Sequence, residues 1–296
     1  MENNHFIVRL KNRKLLFVEG LEAETFLHNL ITTDVNAIKP HTLYPGALLT
    51  PQGKVMFDFM IGRTQNGFLI DIDAQQAQAF MKRLSLYKLR AKVEIVESDE
   101  SVTVVSCGKD STTSQNDSTY DDVRFPPLLH VQRHYNKPIE SFANMDDDIE
   151  KWSHLRITYG IAESGTDFTL NDVFPHDIAY DQIGGLSFKK GCYIGQEVVS
   201  RMHHRGTARR RPVIVEASEN LTPSNNTLEA EQKPVGTIGT TFEKQGLALV
   251  RLDRAKAAMV KGQNITVDGK EVSLSIPPNM AYDFPDNEPD NLNEDN

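Results

Sequence analysis

Gly184-Gly185-Leu186-Ser187-Phe188-Lys189-Lys190-Gly191-Cys192-Tyr193-Ile194-Gly195-Gln196-Glu197-Val198-Val199-Ser200-Arg201 is the stretch on which the reading of this chain turns. Its glycines let the backbone approach a ligand or another segment closely, and Gln196 to His204 reads as a helix starting near Gly195. Cys192 then lies just before a helix N-terminus, with Lys190 two residues away. A helix dipole and a nearby cation both favour a thiolate, which is the setting of a reactive cysteine. Read the other way, Cys192 is a small buried residue beside Tyr193, since free cysteine is among the most buried residue types. The spacing leaves both readings open.

Outward from this stretch the chain changes character twice. On its N-terminal side, Phe6 to Leu10 and Leu15 to Val18 read as strands. Ala23, Phe26, Leu27, Leu30 and Ile31 form a helical stripe. Tyr44 to Leu49 and Val55 to Ile61 flank Pro51-Gln52-Gly53 as a hairpin, and Phe68 to Ile72 continues the sheet. Ala74 to Leu86 is helical, Lys92 to Val96 and Val102 to Cys107 are strands, and Gly108 to Asp122 reads as a polar surface loop. Asp146 to Tyr159 is a helix capped by Asp146 or Asp147 and ended by Gly160. Beyond Pro212 come short apolar runs, the last broken by an Asp268-Gly269 turn, which read as an all-β module. We therefore expect an α+β region over residues 1–208, a β module over 209–280 and a disordered acidic tail over 281–296.

The chain has 296 residues, of which 39% are hydrophobic and 25% charged, so it is globular and large enough for about two domains. Its two cysteines can build neither a disulfide framework nor a zinc or iron-sulfur ligand set, and no metal is expected. No leader-like segment or membrane-length apolar run is found, so a cytoplasmic compartment and no membrane partner are expected. With no heptad repeat, a monomer is expected. Phosphate-loop and dinucleotide motifs are absent.

The formal charge of -9 argues against a generic nucleic-acid coat. Locally, however, Lys189, Lys190, Arg201, Arg205, Arg209, Arg210 and Arg211 face the single acid Glu197. That cluster suits a phosphate, a polyglutamate tail or RNA, and equally a solvated face or salt bridges. His203 and His204 are consecutive and make a poor metal pair. Asp71 and Asp73 alternate around Ile72 on a strand, placed either to hold a polar ligand or to end the strand at a polar surface.

Lys190-Gly191-Cys192-Tyr193-Ile194-Gly195-Gln196-Glu197, followed by Arg201, resembles the hallmark of the YgfZ family, folate-binding relatives of the glycine-cleavage T-protein that support iron-sulfur enzymes. Gly20, Phe26-Leu27, Thr32-Thr33-Asp34-Val35, Pro51-Gln52-Gly53-Lys54, Leu84 to Arg90 and Trp152 to Gly160 follow the same order. The resemblance implies an α+β, T-protein-like fold with mixed α/β subdomains around a central folate pocket and a C-terminal β-barrel. It implies assistance in assembling or repairing iron-sulfur clusters, including those of tRNA-methylthiolating enzymes, with tetrahydrofolate or a one-carbon derivative as ligand and iron-sulfur enzymes and assembly proteins as transient partners. By the same resemblance Cys192 and Lys190 carry the chemistry, while Gly191, Tyr193, Gly195, Gln196, Glu197 and Arg201 bind the ligand; Asp71 or Asp73, from the strand reading, is placed near the folate in a one-carbon-transferase reading. The chain departs from the family at Pro175-His176-Asp177 and Ala179, where a Pro-Glu pair and an Asn are usual. Two further readings are a tetrahydrofolate-dependent aminomethyltransferase and a non-catalytic tRNA- or protein-binding module.

Overall fold

The computed structural model describes residues 6–98, 103–108, 118–135, 149–206 and 208–285. The chain forms two units: Met1–Lys151 with Ile183–Ser200, and Trp152–Gln182 with Arg201–Asn296. The sequence is expected to divide into regions 1–208, 209–280 and 281–296, and the chain passes between the two units three times.

The first unit is built on strands β1 (Phe6–Leu10), β2 (Arg13–Glu19), β3 (Thr42–Leu49), β4 (Val55–Arg63), β5 (Gly67–Asp73), β6 (Glu94–Glu97), β7 (Thr103–Cys107), β8 (Thr119–Asp122) and β9 (Gln132–Tyr135), with helices α1 (Ala23–His28) and α2 (Ala74–Lys88). The strands form one sheet in the order β1-β7-β9-β8-β3-β4-β5-β2-β6, antiparallel except for the β3–β8 pair. Alternation along the strands decides what each face buries. Leu16, Val18, Phe59, Ile61, Phe68, Ile70 and Ile72 pack against Ala23, Phe26 and Leu27 of α1 and Ala77, Phe80 and Leu84 of α2. Leu15, Leu43, Met60, Leu69, Tyr120 and Tyr135 form a second cluster on the opposite face. Since β4 and β5 are buried on both sides, they read as continuous apolar runs.

The helix expected through Ile31 ends at His28, because Ile31 bridges to Leu48 and so leaves the helical path. The expected surface loop from Gly108 lies outside the described residues over 109–117, and its C-terminal part is in fact β8. Thr119, Tyr120 and Asp122 are buried there. They read as loop residues because they are polar, yet they have polar partners: the Thr119 hydroxyl lies 3.1 Å from His134 Nδ1, and the Asp122 carboxylate accepts from Arg124 at 2.6 and 2.9 Å and from Arg133 at 3.3 Å. The strand β9, whose Arg133 and His134 are also buried, hides in the sequence for the same reason.

In the second unit, α3 (Ile149–Tyr159) ends at Gly160, whose φ of +66° needs glycine. The expected caps Asp146 and Asp147 lie outside the described residues. Arg156 of this helix is buried and donates to the Ile161 carbonyl, to Asp167 at 2.7 Å and to Thr240 Oγ1. After α4 (Gln196–Arg205) come β10 (Arg210–Ala217), β11 (Thr227–Ala230), β12 (Lys233–Phe242), β13 (Gln245–Arg251), helix α5 (Leu252–Val260), β14 (Ile265–Val267) and β15 (Lys270–Ser275). These strands close a barrel in the order β10-β13-β12-β11-β14-β15 around Val213, Val215, Leu228, Ile238, Val250, Ile265 and Val267. Asp268 and Gly269 both have positive φ, as a two-residue hairpin turn requires.

The module is therefore not all-β. The buried side of α5 is Leu252, Ala255 and Ala258, too weakly hydrophobic to show a helical period between two strand-like runs. Nor is the tail loose from residue 281. Tyr282 donates to the Pro212 carbonyl at 2.6 Å, and Phe284 packs against the barrel core; residues 286–296 lie outside the described residues.

Candidate functional site

The glycine-rich stretch of the sequence folds against two loops of its own unit. One runs from the end of α1 to Asp34, and the other is the Pro51-Gln52-Gly53 turn between β3 and β4. Ser187 donates its backbone N–H to the Thr32 carbonyl at 3.1 Å. Lys190 turns inward, and its ammonium donates to the carbonyls of Ile31 and Thr33, each at 2.8 Å. Those residues are themselves fixed: the Thr33 hydroxyl donates to the Pro45 carbonyl at 2.7 Å and the Ala47 N–H donates to Thr32 Oγ1 at 3.0 Å. Two glycines permit the approach. Gly195 (φ +79°) sits where a Cβ would come within 2.7 Å of the Thr50 carbonyl oxygen. At Gly53 (φ +79°) a Cβ would meet the Val198 side chain at 2.9 Å. The hallmark and the Pro-Gln-Gly turn are thus two halves of one packing contact.

Lys190 and Tyr193 are buried, and the ammonium lies 5.2 Å from the centre of the Tyr193 ring. Burial pushes the Lys190 ammonium down to about 8, with the Asp34 charge opposing the shift, and pushes the Tyr193 phenol up to about 12. The Tyr193 hydroxyl is enclosed without a hydrogen-bond partner among the described residues. Between these two inward residues Cys192 points its thiol to solvent, as does its neighbour Gly191 its backbone. Cys192 is therefore not the small buried residue of the second reading. Lys190 is committed to two backbone carbonyls, so its role in this geometry is to position the loop.

The loop also comes close to α1. His28 Nε2 lies 3.9 Å from the point a Cβ on Gly191 would occupy, and His28 Nδ1 is 3.5 Å from Asp34 Oδ1. Sequence reasoning did not single out His28, which stands at the polar end of a short helix with no motif around it. Gln196 and Glu197 open α4, where an acid suits the helix N-terminus, and Glu197 and Arg201 are exposed on it.

Asp71 and Asp73 are occupied elsewhere. Asp71 is fully buried, accepting from Arg13 at 2.6 Å, from Arg133 and from the Tyr135 hydroxyl at 2.8 Å. Burial opposes its charge, but the two arginines hold its carboxyl below the usual range. Asp73 accepts from the Gln75 N–H as the N-cap of α2. Both are thus accounted for by structural bonds. The basic cluster is likewise consumed in part within the second unit. Arg210 pairs with Asp172 and Asp177 at 3.0 Å, and Arg211 with Asp181 at 2.6 Å. Of its two readings, salt bridging describes these arginines. His203 stacks 6.3 Å from buried His176, whose imidazole burial pushes down to about 4. Among the described residues no three metal-ligating side chains converge.

Residues 209–282 match the model of the CAF17 C-terminal β-barrel domain. The chain is similar to proteins named iron-sulfur cluster assembly factor IBA57 homolog, mitochondrial. It is 29% identical to that of Coccidioides immitis over 71% of this chain and 56% of the relative. For the Pyricularia oryzae protein the figures are 31%, 68% and 55%, and for that of Dictyostelium discoideum 26%, 72% and 63%. The chain spans about half the length of most of these relatives. Among solved structures, the glycine cleavage system aminomethyltransferase T from Bartonella henselae superposes with a TM-score of 0.63 at 15% identity, covering 92% of this chain and 84% of that one.

The fold is therefore the T-protein-like one expected, with its C-terminal barrel closed by six strands. The relatives are iron-sulfur cluster assembly factors. Their mitochondrial names overturn the expected cytoplasmic location.

Proposed function

We propose that this chain assists the assembly or repair of iron-sulfur clusters as a YgfZ-type protein, with Cys192 as the group that meets the client. One observation carries the reading: in a chain similar to iron-sulfur assembly factors, the one residue of the hallmark able to bond a soft metal or a sulfur is exposed, on a loop pinned on either side by Lys190 and Tyr193. An exposed thiol held by buried neighbours costs little reorganisation when a partner docks, which favours transfer of a cluster or sulfur cargo. Iron-sulfur enzymes, including tRNA-methylthiolating ones, are the client class in this reading.

Tetrahydrofolate, or a one-carbon derivative, is the small-molecule ligand proposed with it. Asp71 and Asp73 do not fit that ligand, since arginine pairs and a helix cap hold them. The likeness to an aminomethyltransferase is one of fold, so no transfer step is derived from it.

The test is complementation. In cells lacking the protein, Cys192→Ala is expected to fold normally yet fail to restore iron-sulfur enzyme activity, and full rescue refutes the role of the thiol. Calorimetric titration of purified protein with tetrahydrofolate tests the ligand separately.

A further inference from the structure

The turn after α2 and the turn after β2 bring together side chains that nothing in the cluster-assembly reading uses. Leu21 is 91% exposed, Leu89 88% and Leu86 61%. Leu21 shares one shallow depression with Lys88 and Lys92, and its neighbour Gly20 approaches the Lys92 carbonyl so closely that a Cβ could not fit. Lys82, Arg83 and Arg90 are exposed on the last turns of α2 and just beyond. Among the described residues none of Lys82, Arg83, Lys88, Arg90 and Lys92 makes an ion pair. The acids at the same place are Glu19 and Glu94, which line the depression, and Glu22, which accepts the Lys92 backbone N–H. Cations therefore outnumber acids here in a chain whose formal charge is -9.

Leu89 is also held against its own backbone preference. Lys88-Leu89-Arg90-Ala91 closes as a turn with the Ala91 N–H donating to the Lys88 carbonyl at 2.8 Å. Leu89, at φ +46° and ψ -103°, occupies the first central position of a type II′ turn, which glycine favours. Glycine there would relieve backbone strain, and nothing in the fold packs against the leucine that stands in its place.

We propose that this tip is a peripheral docking site for an anionic lipid surface, with Leu21, Leu86 and Leu89 inserting at the headgroup boundary and the five cations facing lipid phosphates. The argument for a bilayer over a protein is shape: Leu21 and Leu89 protrude from turns and Leu86 from the last turn of α2, with basic side chains beside them. A fluid interface accepts protruding apolar side chains without a matching cavity, and each basic residue near it strengthens binding about fivefold. Attachment of this kind needs no membrane-spanning segment.

The experiment is co-sedimentation of the full chain with phosphatidylcholine vesicles, with and without phosphatidylglycerol, over a salt series. Binding is expected only with the anionic lipid and is expected to fall as salt rises. Lys88→Ala with Arg90→Ala should weaken it about twenty-five-fold, as two such factors multiply. Leu89→Gly is the discriminating variant, expected to weaken vesicle binding while the thermal melt holds or rises, because the turn relaxes. Absent binding, equal binding to neutral vesicles, or full binding by Leu89→Gly together with Leu21→Ser overturns the proposal. So does a result in which vesicles are ignored but the double alanine variant loses affinity for an acidic iron-sulfur protein.

Discussion

Replacing Lys190 by Met tests the account of the hallmark loop most directly. The substitution keeps the length of the side chain and removes the ammonium that donates to the Ile31 and Thr33 carbonyls at 2.8 Å each. A buried acceptor left without its donor costs about 1–3 kcal/mol, so two cost about 2–6 kcal/mol. Against this stands the gain from no longer burying a charged group, which its depressed pKa of about 8 shows to be unfavourable. The net expectation is a loss of about 2 kcal/mol, or a melting temperature lower by roughly 4–8 °C for a unit of this size. The pH dependence carries the sign. Between the folded value of about 8 and the ordinary 10.5, the unfolded chain holds the proton that the folded chain has released, so Lys190 makes stability climb as pH rises through that window. Melts of parent and variant followed by near-ultraviolet circular dichroism from pH 7 to 10.5 should show the climb in the parent and lose it in the variant. Coincident melts, or a variant that keeps the same climb, would refute the positioning role.

Other perturbations follow from the same contacts. Cys192→Ala should shift the melt by no more than about 0.5 kcal/mol, since the thiol is exposed. Gly195→Ala should destabilise the first unit by about 2 kcal/mol or more, because the new methyl meets the Thr50 carbonyl in a backbone conformation that resists side chains; an unchanged urea midpoint would contradict it. Asp71→Asn should cost about 3–5 kcal/mol by leaving Arg13 and Arg133 without their shared charge. Asp71 and Asp122 both titrate below 3.8 in the folded state, so their stabilisation holds above that pH and is lost as pH falls below it. The acid limb of the Asp71→Asn unfolding curve should accordingly be shallower than the parent's.

What could be read in the sequence depended on whether a residue's partner was apolar or polar. The β3–β4 hairpin, α2 and the barrel strands announced themselves, because alternation and helical periods report burial against hydrophobic neighbours. The strands β8 and β9 did not, since Asp122, Arg124 and Arg133 are buried in pairs that cancel one another's charge, and each alone looks like surface. Lys190 illustrates the same limit at the site. Its charge pointed toward Cys192, but the carbonyls that hold it lie 157 and 159 positions earlier in the chain and carry no residue-specific mark. Asp71 and Asp73 shared a strand face as expected, yet the arginine and the helix start that claim them come from other elements.

That separation also sets a timetable. During synthesis the β3–β4 hairpin and the Ile31 and Thr33 carbonyls emerge long before Lys190 does, and at 5–20 residues per second the gap is roughly 8–30 seconds. Over that interval the nascent sheet exposes an acceptor socket and a glycine turn that await the segment destined to fill them. A chain truncated before Lys190 keeps both carbonyls but lacks the donor that fills them, and with it the ledge on which the thiol stands.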